Sequence, residues 1–165
     1  LSSHGSPPAS IAPTASTACS EVDGPAGPPR ITAFDHVGIR VSDRRRALAF
    51  YRALGFVERA SFPEHEANEM VSADGVRINL ISNGARRRAA TNVLLDEPIK
   101  WPGMTHPAFV VDDLVAFQAW LARLGILVTE GPHPIGSRRI ALFIRDPDGN
   151  VLEFNQLIVH QGETA

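Results

Sequence analysis

Residues 35–56 read DHVGIRVSDRRRALAFYRALGF, and the chain says this twice. An offset of 70 residues carries the stretch without a gap onto residues 106–126, HPAFVVDDLVAFQAWLARLGI. His36 falls on His106, Val41 on Val111, Asp43 on Asp113, Phe50 on Trp120 and Leu54-Gly55 on Leu124-Gly125. Further along, an offset of 74 carries Asp74-Gly75 onto Asp148-Gly149 and Asn79 onto Glu153. A repeat this long contains several elements, so a supersecondary module is duplicated.

The module can be read element by element. In residues 33–41, Val37, Ile39 and Val41 alternate with His36, Gly38 and Arg40, the period of a strand. Ser42 or Asp43 stands at the cap position of a helix whose apolar residues Ala47, Leu48, Phe50, Tyr51 and Leu54 recur at helical spacing, and Gly55 stops it. Short strands are predicted over 57–61, 68–72 and 76–82, the last two joined at Asp74-Gly75. The second copy predicts a strand over 105–111, a helix over 114–124 and strands over 126–129, 138–145 and 151–156. The expected fold is α+β: two tandem βαβββ modules form a curved mixed sheet, with the helices outside and the opposite face lining a cleft. Module one spans 31–82, a linker 83–103 and module two 104–158.

Residues 1–30 are rich in Pro, Ser, Ala and Gly without periodicity, and are expected to be a disordered tail. They have neither the basic start nor the unbroken apolar run of a signal peptide. Residues 159–165 are expected to form a short C-terminal tail. The 165 residues suit one domain of ordinary size. A formal charge of −2 gives no reason to expect nucleic acid or a membrane surface as partner. The single cysteine, Cys19, excludes an internal disulfide framework and fits a cytoplasmic location.

Strand parity then selects a site. If Val37, Ile39, Phe109 and Val111 face the helices, His36 and His106 face the cleft. With Leu152 and Phe154 on the helix side, Glu153 faces the cleft, and the same parity brings Arg77 and Asn79 there. Two imidazoles and a carboxylate at repeat-related positions make up a 2-His-1-carboxylate ligand set for a divalent metal with open positions. A single histidine at a strand start is ordinarily just a polar edge residue; the repeat is what gives the set weight. Arg77 and Arg139 are candidates for gripping an anionic substrate. The two arginine runs, 44–46 and 86–88, read as a solvated helix face and a flexible connection.

The FYRALGF helix end, the HPAFVVDD strand and the DPDGNVLEF hairpin resemble the vicinal oxygen chelate superfamily, which includes glyoxalase I, methylmalonyl-CoA epimerase, extradiol dioxygenases, fosfomycin-resistance transferases and bleomycin-binding proteins. The resemblance spans about residues 31 to 158. It implies one divalent metal ion (Ni, Co, Mn, Zn or Fe) held by His36, Asn79, His106 and Glu153. Glyoxalases usually carry Glu where Asn79 stands, so Asn79 either ligates weakly or orients a metal-bound water. The chemistry implied is a lyase or isomerase reaction with proton transfer next to a carbonyl, Glu153 as the base and Glu69 as a second acid or base.

The resemblance leaves alternatives. An Fe(II) extradiol dioxygenase would use the same three ligands, but it would need a tyrosine where Phe143 stands, ten residues before Glu153, and a phenylalanine donates no proton. Phe143 then serves as part of the substrate pocket. His133, between two prolines, reads as a loop residue. A fosfomycin transferase would want a polar pocket in a strand that here is mostly apolar. A metal-free binding module of the bleomycin-resistance type would generally lack the two histidines and the glutamate. A homodimer binding a small-molecule substrate is the expected form, with the metal site drawn from one chain or shared between two.

Overall fold

The computed structural model describes residues 30–87 and 90–158. Residues 1–29 of the tail expected over 1–30, with Cys19 among them, and the expected tail at 159–165 lie outside the described residues.

Each module builds one four-stranded sheet. Module one contains β1 (Val37–Arg40), α1 (Arg44–Ala53), β2 (Val57–Phe62), β3 (Ala67–Val71) and β4 (Arg77–Ile81). Module two contains β5 (Ala108–Val110), α2 (Leu114–Arg123), β6 (Val128–Ile135), β7 (Arg139–Arg145) and β8 (Val151–Leu157). The strand orders are β1-β4-β3-β2 and β5-β8-β7-β6, so both sheets place the first strand parallel to the last. Residues 83–107 connect the modules without a strand or a long helix among the described positions.

Local chemistry explains the elements. Asp43 and Asp113 cap the two helices, each carboxylate accepting the backbone N–H three residues on (Arg46, Ala116) at 2.9 Å. Gly55 and Gly125 end them with φ of 93° and 69°, a region that costs an L side chain energy but glycine almost none. Between the capped ends, Ala47, Leu48 and Tyr51 of α1 and Leu114, Phe117 and Leu121 of α2 are buried. They join Ile39, Met70, Ile78, Leu142, Ile144, Leu152 and Phe154 in one core cluster that spans both modules. Truncating Leu121, fully buried, to alanine would cost about 2–5 kcal/mol.

Two expectations need correction. The strand predicted over 126–129 is β6, Val128–Ile135, which runs through Gly131, Pro132 and Pro134. Prolines are tolerated because β6 is the sheet's edge and its pairing with β7 shifts register twice, so the missing N–H groups interrupt no continuous ladder. His133 is therefore a strand residue, opposite Ala141. The arginines of 44–46 are also more than a solvated face. Arg46 donates to Asp148 at 2.6 Å across the modules, and Arg44 donates to Asn68 and Glu58 at 2.8 and 2.9 Å.

Candidate functional site

The sequence offsets return as strand register. Gly38 lies opposite Asn79 in the β1–β4 pair, and Ala108 lies opposite Glu153 in the β5–β8 pair. His36 and His106 each stand two residues before those glycine and alanine positions, on the same strand parity. One row further in, Glu69 lies opposite Asn79 and Phe143 opposite Glu153. The faces turned away from the helices thus carry His36, Asn79, Glu69 and Arg77 in module one, and His106, Glu153, Phe143 and Arg139 in module two.

The module two half is compact. Glu153 is buried, 6 % exposed, and accepts a hydrogen bond from His106 Nε2 at 2.8 Å. Thr105 Oγ1 lies 3.0 Å from Nδ1 of the same ring. With Nε2–H given to Glu153, Nδ1 of the neutral ring accepts from the hydroxyl; the hydroxyl can equally accept from Nδ1–H, the tautomer that would free the Nε2 lone pair for a metal in place of the Glu153 hydrogen bond. Phe143 packs edge-on to His106 with ring centroids 5.6 Å apart, and His133 lies 6.2 Å beyond Phe143, tilted by 31°. Arg139 is exposed at the far end of β7.

The module one half is an ion-pair chain. His36 Nδ1 donates to Asp35 Oδ2 at 2.5 Å. Arg77 donates to Asp35 Oδ1 and to Glu69 Oε2, both at 2.7 Å, and Arg59 stands 3.8 Å from the other Glu69 oxygen. The hydrogen bond from His36 first, and then the Arg77 charge, hold the Asp35 carboxyl below its usual range. Glu69 and Asp35 in turn push the Arg77 guanidinium up. With Nδ1–H committed to a carboxylate, the neutral His36 ring keeps its lone pair on Nε2, the arrangement in which metal-ligating histidines are usually held. Asn79 Oδ1 is buried without a hydrogen-bond partner, as is Asn155 Oδ1. A buried amide oxygen left so costs about 1–3 kcal/mol, unless a ligand supplies its partner.

The structure brings His106 and Glu153 into contact and sets His36 with Asp35, apart from them. Among the described residues no group of three His, Cys, Asp or Glu side chains gathers closely enough to hold a metal ion. Glu69 has a side chain only 13 % exposed and is held by Arg77. Sequence reasoning missed Asp35, whose only signal was its place beside His36. It also missed His133, whose alternation was hidden by flanking prolines.

Comparison with known proteins agrees with this fold. The family model of the Glyoxalase/Bleomycin resistance protein/Dioxygenase superfamily matches residues 33–154. The chain belongs to that superfamily. A glyoxalase family protein from Bacillus anthracis superposes with a TM-score of 0.60 at 21% identity, covering 80% of this chain and 100% of that one. TnmS3, an antibiotic binding protein from Streptomyces sp. CB03234, gives 0.59 at 24% identity, covering 78% and 98%. The fosfomycin resistance protein FosX from Listeria monocytogenes gives 0.57 at 16% identity, covering 76% and 91%. At these identities the likeness speaks for the fold alone. No curated protein sequence matches significantly. Among the described residues no helix is long and apolar enough to cross a membrane.

Proposed function

We propose that this protein is a divalent-metal-dependent, glyoxalase-like lyase or isomerase that moves a proton next to a carbonyl. The observation that carries this reading is the buried Glu153 carboxylate 2.8 Å from His106 Nε2, repeated at the equivalent place in module one by a buried, partnerless Asn79 oxygen and a carboxylate-held His36. These donors fit a divalent ion: two neutral imidazole nitrogens, one carboxylate and one amide oxygen. The ion, when bound, would supply Lewis-acid stabilisation of the negative charge that develops on the substrate oxygens.

The protein's own groups do the rest. Glu153 takes the proton from the carbon next to the carbonyl and returns it, aided by a site shielded from water. Arg77 and Arg139 hold an anionic end of the substrate, and Phe143 walls the pocket over His106. Glu69, once a substrate anion competes for Arg77, becomes the second acid or base. Because His36 and His106 sit in separate half-sites, the set is completed between two copies in a homodimer, His36 and Asn79 of one beside His106 and Glu153 of the other.

The test is solvent deuterium exchange next to the carbonyl in a panel of thiohemiacetals and acyl-CoA thioesters, using protein loaded with each metal in turn. Exchange that disappears in Glu153→Gln while metal stays bound is the expected result; exchange unchanged in Glu153→Gln removes the proposed base. A second reading rests on the neighbouring His106, Phe143 and His133 rings, the first pair edge-on and the second tilted, an aromatic wall for a flat ligand: a binding protein without turnover. Tight binding of a flat ligand by metal-free protein, with no exchange on any substrate, would favour it.

A further inference from the structure

The two modules contact each other through repeat-related corners, and one corner is latched while the other is open. At the latched corner the β7–β8 turn reaches the start of α1. Ser42 donates to Asp148 through its backbone N–H at 2.8 Å and through Oγ at 2.6 Å, and Arg46 adds its guanidinium at 2.6 Å. Beneath them the Tyr51 hydroxyl donates to Asp146 at 3.1 Å, and Asn150 Nδ2 donates to the Arg40 carbonyl at 3.0 Å.

At the other corner the β3–β4 turn stands by the start of α2. The two turns share their backbone pattern. Gly75 N–H donates to the Ser72 carbonyl as Gly149 does to that of Asp146, at 3.1 and 3.0 Å, and the closing Ser72–Val76 and Asp146–Asn150 bonds are both 2.9 Å. Asp74 is therefore the counterpart of Asp148. The groups that would meet it have changed: Asp112 replaces Ser42, Ala116 replaces Arg46, and Leu121 replaces Tyr51. Two carboxylates now share this corner without an arginine at the helix start; the one arginine of α2, Arg123, stands in its last turn.

A groove of about 690 Å³ lies there, within the range of small-molecule sites. Phe56, Phe109, Phe117, Trp120 and Phe154 line it together with Arg123, Asp74 and Asp112, and Asp112 Oδ1 accepts the Asp113 N–H at 2.9 Å. Val110 and Val76 are 64 % and 43 % exposed beside it. Neither His106 nor Glu153 is among the residues that line it.

We propose that this groove is a second small-molecule site, which takes an organic cation with an apolar or aromatic body, best a guanidinium or amidinium. The chain itself displays the chemistry, because at the latched corner a guanidinium fills the equivalent position on the turn carboxylate. A ligand cation occupies the space that Ala116 leaves, bonds to Asp74 and Asp112, and lays its apolar body on the aromatic floor. The site is independent of the metal chemistry proposed above.

The probe is phenethylguanidinium, titrated into the full chain by calorimetry and by shifts of the Trp120 indole N–H resonance. Saturable binding is expected, weakened at least tenfold in Asp74→Asn. In Ala116→Arg, at an exposed position that accepts a longer side chain, binding is expected to vanish while unfolding temperature rises, since the new arginine closes the latch. Binding unchanged in both variants overturns the proposal, as does no binding at millimolar probe. Probe affinity that falls as protein concentration rises, with Ala116→Arg shifting the oligomeric state, also overturns it and assigns the groove to a second copy of the chain.

Discussion

Module one and module two share a backbone and differ in what they place on it. The same register that sets Glu69 across from Asn79 sets Phe143 across from Glu153. In module one the strand face is wet: a chain of His36, Asp35, Arg77, Glu69 and Arg59 spreads charge over partly exposed side chains. In module two it is dry, with a single buried carboxylate bonded to one imidazole and walled by a phenyl ring. The difference teaches how a duplicated unit divides labour. The dry half holds one carboxylate out of water against a single imidazole, and the wet half carries its charges as ion pairs at low desolvation cost.

This contrast can be broken most severely at the dry half. Glu153→Gln is expected to lower turnover about 10³-fold through loss of the base, while Glu69→Gln lowers it about tenfold, measured as kcat on the same substrate. Equal losses would erase the distinction between the halves. The sharing of ligands between copies is tested by mixing His36→Ala with His106→Ala after partial denaturation. Random reassociation leaves about a quarter of the sites complete, so metal uptake should recover to about a quarter of wild type, although each variant alone binds none. No recovery would place all ligands in one chain.

The latched corner allows smaller tests. Tyr51→Phe leaves buried Asp146 one donor short and should cost about 1–2 kcal/mol by urea unfolding. Burial pushes the Asp146 carboxyl up, against hydrogen bonds from Asn150, Asp148 and Tyr51. Folding therefore takes up a proton in the interval between the ordinary carboxylate pKa and the raised one, and stability falls as pH rises through it. Asp146→Asn should flatten that slope. Asp96 shows the opposite sign: the Arg145 hydrogen bonds hold its carboxyl down, so its contribution is present above the ordinary carboxylate range and is lost in acid. Because that pair is exposed at the surface, Arg145→Ala should cost below about 1 kcal/mol.

Much of this architecture was legible in the chain. The alternation of Val37 and Ile39 with His36 and Gly38 set the faces of β1, and the repeat transferred that parity to His106 and Glu153. Strand parity is a local property, and it survived folding. What was illegible depended on distance. No local pattern announces that Arg46 meets Asp148 or that Arg77 bridges Asp35 and Glu69, since those contacts exist only once two sheets and two turns are in place. β6 was hidden for another reason, because Gly131, Pro132 and Pro134 carry the signature of a loop while an edge strand tolerates them. The shared strand face of the candidate residues was legible from parity, and only the fold could divide them into halves.

The most direct test of the central claim is metal content of wild-type protein, purified without chelator and then offered Ni, Co, Mn, Zn and Fe(II), beside His106→Ala. The account predicts about one equivalent per chain in wild type and essentially none in the variant. Wild type that takes up no metal under any condition, or a variant that binds as well as wild type, would contradict it.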